Sequence, residues 1–352
     1  MDPTEGQGRM GEMHTVTVRT PDRTYPVFVG PGARHSLAGA VPSGAQRVAV
    51  VTQEGIPASM VPHFDGPEVH VHTIGAGEEH KSLATVERLC REFSRNGMTR
   101  ADVVVGVGGG MVTDVAGFTA ASYHRGIAVM HVATTLLGMI DAAVGGKTGV
   151  NIPEGKNLIG AFWQPSAVAC DTDALDTLPS REMRCGTGEM AKYHFIARED
   201  LSSLGLVARI ARSVEIKAAI VEADERESGE RALLNYGHTL GHALETVTGY
   251  SVAHGEAVAF GLLYAAHLAE VLGRIDAGRV EDHYRVVRDV YGLSTSAPDV
   301  RFADLLTEMR RDKKAVSSLT FVLDSPTGLA VVPDVAESDA ARAWDRYRAA
   351  NP

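Results

Sequence analysis

The chain has 352 residues, 44% hydrophobic and 22% charged, with a formal net charge of −10 at pH 7. That balance describes a soluble globular protein, long enough for two domains. It argues against a nucleic-acid partner, which would call for a basic footprint, and no apolar run approaches the about 18 residues of a membrane span. Cys90, Cys170 and Cys185 show no CxxC spacing, which points to a reducing, cytoplasmic setting without a disulfide framework.

The N-terminal stretch MDPTEGQGRMGEM has neither a basic nor an apolar signal-peptide region, and residues 1–14 are expected to form a disordered tail. Residues 15–30 alternate around Pro21-Asp22 and read as a β-hairpin. RVAVVT (47–52) is an apolar run suited to a buried parallel strand, and VHVHTI (69–74) is a second strand. Residues 84–100 have helical periodicity and end near Asn96-Gly97, a C-cap signal. The next segment, ADVVVGVGGGMVTDVAGF, reads as strand, glycine turn and helix. Its glycines let backbone approach a ligand, and a helix N-terminus there suits a pyrophosphate. Met111 breaks the GxGxxG pattern, so the turn by itself gives only a weak nucleotide signal.

IAVMHVATT (127–135) is a strand ending in two hydroxyls, Thr134 and Thr135. Gly145-Gly146-Lys147 and Gly155-Lys156-Asn157 then set lysines beside glycines, an arrangement suited to an anion although the spacing is not that of a P-loop. VACDTD (168–173) closes the strand series. After about residue 175 helical periodicity takes over, with a small hairpin expected at 321–333. The expected organisation is an α/β domain over 15–174 and a mainly helical domain over 175–352. In such an arrangement ligands bind at the carboxyl ends of the strands, and the chemistry is expected in the cleft between the domains.

Within the helical half, RALLNYGHTLGHALETVTGYSVAH (231–254) stands out. Arg231, Asn235, His238 and His242 are spaced 4, 3 and 4 apart. On one continuous helix they would fall within roughly 60° of arc. Solvated helix faces usually carry Glu, Lys and Ser; this one has a guanidinium, an amide and two imidazoles. Imidazoles at i and i+4 can reach one metal ion or one anion together, and a buried, hydrogen-bonded histidine pair is the ordinary alternative. Glu189, His238 and His254 would make a glutamate-plus-two-histidine set suited to catalytic zinc, but spacing leaves the choice between His238 and His242 open. Glu189 and Lys192 could instead be a surface i,i+3 pair, and Asp312-Lys313-Lys314 a solvated charge run. Lys217, Asp224 and Glu227 lie on or near the segment leading to Arg231. Only seven of the 34 basic residues are lysine: Lys81, Lys147, Lys156, Lys192, Lys217, Lys313 and Lys314. In a chain that prefers arginine, a retained lysine is a candidate for a tight site that needs a compact ammonium.

Seven segments in order carry a family resemblance: GGGMVTDVAGFTAASYHRG, TTLLGMIDAAVGGKTGVN, GKNLIGAFWQP, TLPSREMRCGTGEMAKY, LNYGHTLGHALE, HGEAVAFG and RDKK. Over nearly its whole length the chain resembles 3-dehydroquinate synthases, members of the sugar-phosphate cyclase superfamily. The resemblance implies an NAD-binding α/β domain, a helical metal- and substrate-binding domain and a homodimer. It implies Glu189, His238 and His254 as ligands of zinc, with cobalt as an alternative. Glu78, Lys81, Gly109, Gly110, Asp114, Thr134 and Thr135 fall at NAD positions, with Lys147 and Lys156 beside them. Asp141, Lys147, Asn157, Lys192, Lys217, Glu227, Arg231, Asn235, His242, Lys313 and Lys314 fall at catalytic or substrate positions. Arg125 matches an arginine that reaches a phosphate across the dimer. Thr52-Gln53 departs from the family pattern, where many members carry an acidic residue and Asn near the adenosine ribose. The implied substrate is 3-deoxy-D-arabino-heptulosonate 7-phosphate, converted by transient oxidation with NAD, phosphate elimination, reduction and intramolecular aldol closure. An amino analogue, or a carboxylate-free sugar phosphate, is an alternative substrate within the superfamily. A non-catalytic NAD-binding homologue is the alternative outside enzymology.

Overall fold

Apolar runs without polar alternation become strands covered on both faces. The computed structural model describes residues 12–311 and 319–351, and its strands follow that rule. The first strands are β1 (His14–Arg19), β2 (Thr24–Gly30), β3 (Arg47–Gln53) and β4 (Glu68–Ile74). Then come α1 (Leu83–Arg95), β5 (Val103–Gly108), α2 (Gly110–Ser122) and β6 (Ala128–Ala133). A hairpin of β7 (Lys147–Ile152) and β8 (Gly155–Phe162) precedes β9 (Ala167–Asp171). The main sheet has the order β1-β2-β9-β6-β5-β3-β4. All neighbours are parallel except β1 and β2, which form the expected hairpin. Along β3 and β5, Val48, Val50, Val103, Val105 and Val107 pack on one face with Leu37 and Phe64. Ala49, Val51 and Val104 pack on the other with Leu89, Phe93, Val112 and Val115 of α1 and α2. Ser82 caps α1, its side chain accepting from Thr85 N, and the helix ends at Asn96 before Gly97, whose φ is +69°.

The chain connects β3 outward to β4 and β5 the opposite way to β6, so the order of connection reverses between β3 and β5. Such a switch point opens a crevice at the strand carboxyl ends. It places Thr52 and Gly108 at neighbouring strand ends, and Thr52 Oγ1 donates to Val107 O at 3.0 Å.

By contact density the chain divides into two compact units: Met1–Leu178 with Gly205–Glu222, and Pro179–Leu204 with Ala223–Pro352. The second begins with α3 (Ser180–Ala197); α4 (Leu206–Ala223) lies almost entirely in the first. The rest of the second unit holds α5 (His238–Val247), α6 (His254–Val271), α7 (Ala277–Tyr284), α8 (Phe302–Arg311), the hairpin β10 (Leu319–Leu323) and β11 (Ala330–Val335), and α9 (Glu337–Ala350). α6 is buried from Ala257 to Ala269, as suits a central helix. Its residues Val258, Leu262, Tyr264 and Leu268 share a core with Phe195, Leu240, Leu244, Phe321 and Trp344.

The stretch 231–254 is not one helix. Residues Glu230–Asn235 form a 3-10 turn, Tyr236 leaves helical geometry, and α5 starts afresh at His238. Arg231 and Asn235 therefore do not share a helix face with His238 and His242, and the 60° arc does not exist. The break lies at Gly237, whose φ of +83° is left-handed and favours glycine. A Cβ there would lie 2.9 Å from Val258 O and 3.0 Å from Leu262 N, so backbone of α6 occupies the space a side chain would need.

Candidate functional site

In the helical unit three helices each contribute one ligand atom. Glu189 comes from α3, His238 opens α5 and His254 opens α6. α3 and α6 meet backbone to backbone, since a Cβ on Gly188 would overlap Gly255 and one on Gly255 would overlap Cys185. That approach brings Glu189 against His254. One atom from each of Glu189, His238 and His254 lies within 4.8 Å of the other two. Glu189 is 0% exposed and Lys192 1%. Lys192 Nζ sits 2.5 Å from Glu189 Oε2, so this is a buried charge pair rather than a surface i,i+3 pair.

Hydrogen bonding orients both imidazoles. His238 Nδ1 lies 3.2 Å from Tyr236 O, a carbonyl that only accepts, so Nδ1 carries the hydrogen. His254 Nδ1 lies 2.9 Å from Glu245 Oε2. Each ring thus directs Nε2 at Glu189 Oε1, from 3.2 Å for His238 and 2.9 Å for His254. Glu189 Oε1 thus faces both imidazoles, while Oε2 is paired with Lys192. With neutral rings, the two Nε2 lone pairs and Glu189 Oε1 converge in a buried place, and a proton or a cation between them relieves that convergence. Burial works against a charged His254, but hydrogen bonds and charge from Glu189 and Glu245 outweigh it and raise the group to about 10. Burial lowers His238, with partial compensation by Glu189. Glu189 is held well below the carboxylate range because Lys192 and His238 outweigh its desolvation. A glutamate with two oriented imidazoles fits a divalent cation such as zinc or cobalt and leaves positions for substrate. His242 belongs to a second grouping with Glu245 and His254, also within 4.8 Å.

Glu245 was missed from sequence. It lies seven residues after His238 and three after His242, on one face of α5, and that spacing was a usable signal. In the same unit, Arg231 is 1% exposed. Its amide donates to Asp224 Oδ2 at 3.0 Å and its Nη1 donates to Glu225 O. Asn235 Nδ2 donates to Glu227 Oε1 at 2.9 Å. Lys313 and Lys314 lie outside the described residues.

The sheet unit assembles a different set. α2 begins at Gly110 directly after β5, and no side chain among the described residues caps it. Thr134 follows the neighbouring strand β6, its amide donating to Gly108 O at 3.0 Å. Its buried hydroxyl has no hydrogen-bond partner among the described residues. Thr135 Oγ1 accepts from Gly138 N at 3.0 Å. An uncapped helix N-terminus beside an orphaned hydroxyl at a switch point suits the pyrophosphate of a dinucleotide. Lys81 Nζ donates to Asp114 Oδ2 at 2.5 Å and to Asn157 Oδ1 at 2.6 Å. Burial raises Asp114 from 3.8 to about 6, against the pull of Lys81. Glu78 Oε1 accepts from Asn151 Nδ2 at 2.8 Å. Lys217, on α4, donates to both Oδ1 and O of Asp141, each at 2.5 Å. Lys147, Lys156 and Asn157 are exposed on the hairpin of β7 and β8, and Arg125 is exposed beyond the end of α2.

Residues 71–185 match the family described as 3-dehydroquinate synthase N-terminal, and residues 186–315 the one described as 3-dehydroquinate synthase C-terminal. A provisionally named aminodehydroquinate synthase of Amycolatopsis mediterranei is 54% identical over 323 residues, covering 91% of each chain. The 3-dehydroquinate synthase of Pelotomaculum thermopropionicum is 43% identical over 348 residues, 91% of this chain and 93% of that one. The solved structure of a 2-deoxy-scyllo-inosose synthase complexed with carbaglucose-6-phosphate, NAD+ and Co2+ superposes with a TM-score of 0.83 at 25% identity. It covers 94% of this chain and 98% of its own.

Proposed function

The chain belongs to the 3-dehydroquinate synthase family, and from that premise we propose that it is a metal- and NAD-dependent cyclase. It converts 3-deoxy-D-arabino-heptulosonate 7-phosphate to 3-dehydroquinate and phosphate. The observation that carries this reading is the convergence of His238 Nε2 and His254 Nε2 on the buried Glu189 carboxylate. Glu189, His238 and His254 would hold the metal, zinc or cobalt. Gly109, Gly110, Asp114, Thr134, Thr135, Glu78, Lys81, Lys147 and Lys156 would hold NAD. When bound, the metal polarises substrate oxygen and NAD accepts and returns a hydride.

The chain's own residues orient the substrate and screen its charge. Arg231, with Lys217 and Asn235, is assigned to the substrate carboxylate, because a guanidinium can present two parallel donors to it. Lys192 holds the Glu189 charge in place and adds an ammonium beside the reacting oxygens. Lys217 and Asp141 are already paired, so each presents a fixed polar group. Asn157, Glu227, His242, Lys313 and Lys314 are assigned to the remaining substrate groups. Arg125 is assigned to a phosphate across a homodimer. The proposed setting is the cytoplasm, and elimination of phosphate with ring closure makes the enzyme a carbon–oxygen lyase.

A second reading has a specific observation behind it. Identity to the Amycolatopsis relative is 54%, against 43% to the Pelotomaculum enzyme. This favours the amino analogue of the same substrate, which keeps the carboxylate and yields an amino-dehydroquinate for secondary metabolism. The test is product identification with each phosphate offered separately, in the presence of zinc or cobalt and catalytic NAD. Cyclised product with phosphate release, and no net accumulation of NADH, supports the reading. Stoichiometric NADH would mean an ordinary dehydrogenase, and turnover of the amino analogue alone would select the second reading.

A further inference from the structure

We propose that Glu245 is a positioning residue for the metal centre, acting through His254. The proposal rests on the metal reading above. The three ligand side chains are not equally confined: Glu189 is 0% exposed, His238 10% and His254 28%. Packing therefore constrains the His254 ring least, and a directed hydrogen bond matters most there. Glu245 supplies it, with Oε2 at 2.9 Å from Nδ1. The Glu245 side chain is itself buried, at 10% exposure, and a hydrogen bond to a buried charged acceptor is stronger than one in water. Accepting the Nδ1 hydrogen keeps the Nε2 lone pair on the ligand side and makes that nitrogen a better donor. Helix α5 thus carries one ligand, His238, and two turns later the group that aims another.

Glu245 could instead be a ligand itself, in the grouping with His242 and His254. The geometry favours positioning, because its oxygen already meets the proton-bearing face of His254. A cation in that grouping would have to displace that proton or take Nε2 away from Glu189.

Metal-stripped full-length protein would be titrated with cobalt(II) alone, followed by visible absorption and calorimetry. The comparison covers wild type, Glu189→Ala, Glu245→Ala and Glu245→Gln, with thermal melts of each metal-free form. Outer partners of metal-bound histidines typically change metal affinity about 10- to 100-fold. Glu245→Ala is expected to weaken cobalt binding by that factor with one ion still bound. Glu245→Gln, which can still accept from Nδ1, should recover part of the loss. It also carries the test if the alanine variant does not fold. Unchanged cobalt affinity in a folded Glu245 variant overturns the proposal. So does loss as complete as in Glu189→Ala with no recovery by glutamine, which would make Glu245 a ligand. If wild type binds no cobalt, the metal reading itself fails, an outcome distinct from either.

Discussion

In the sheet unit the buried lysines sit in separate charge pairs, whereas in the helical unit two imidazoles and an ammonium gather on one buried carboxylate. Lys81 is held by Asp114 and Asn157, and Lys217 by Asp141. At the carboxyl ends of β5 and β6 the sheet unit offers the backbone at the start of α2 and the Thr134 hydroxyl, which has no partner among the described residues. In the helical unit the groups converge: two imidazole nitrogens face Glu189 Oε1, and the Lys192 ammonium lies 2.5 Å from Oε2. The contrast separates two kinds of site. One presents a helix N-terminus that suits the pyrophosphate of a dinucleotide, with the Lys81–Asp114 pair in the same unit. The other gathers two imidazoles on one carboxylate oxygen, an arrangement that a proton or a metal ion stabilises.

The comparison breaks most visibly at Glu189. Glu189→Gln removes the charge on which the arrangement depends, so bound metal should be lost on dialysis. Turnover should fall by about 10³-fold or more, since a catalytic metal is worth several kcal/mol at the transition state. Metal content by elemental analysis and the single-turnover rate check this. Full activity with no bound metal would remove the distinction between the two units.

Arg231→Lys is the intermediate case. The residue is buried, and a charge-assisted hydrogen bond is worth roughly 1.5–3 kcal/mol, so kcat/KM is expected to fall about 10- to 100-fold through KM while cobalt binding persists. Arg231 also donates to Glu225 O, which defines the opposing outcome. Loss of thermal stability with wild-type behaviour at saturating substrate would assign the guanidinium to the fold and withdraw the carboxylate assignment.

The smallest effect belongs to the sheet unit. Burial raises Asp114 from 3.8 to about 6 despite Lys81. Between those values the folded chain retains a proton that the unfolded chain has released. The contribution of Asp114 to stability is therefore full below about 4 and is lost as pH rises through 6. Asn carries no such titration. Thermal melts of Asp114→Asn and wild type, without NAD, should show a difference that shifts in favour of the variant as pH rises from 4 to 6. A difference constant across that window would mean that Asp114 keeps an ordinary pKa.

Much of this was legible in the sequence where the signal is local. The strand–glycine–helix run at 103–122 was, as were the hairpins at 15–30 and 321–333, because alternation, apolar runs and turn residues act over a few neighbours. The hairpin of β7 and β8 was not read as strands. Its Gly- and Lys-rich residues look like anion loops, and the pairing becomes evident only once Thr148 and Ala161 are opposite each other. The reading of 231–254 as one helix failed for a related reason. The spacing of Arg231, Asn235, His238 and His242 is helical, but Gly237 turns left-handed where α6 crosses it.

By itself, then, the sequence determined the alternation of strands and helices, the kinds of ligand present and the family. These follow from periodicity, side-chain chemistry and ordered motifs, all of which are written along the chain. Spacing left His238 and His242 open and the family resemblance pointed to His238; the tertiary structure brought His238 together with Glu189 and His254, and it alone placed Glu245 behind His254 and grouped Lys217 with Asp141 in the sheet unit. Those outcomes depend on how closely and at what angle helices cross, which close contacts such as Gly188 against Gly255 decide between segments far apart in the chain.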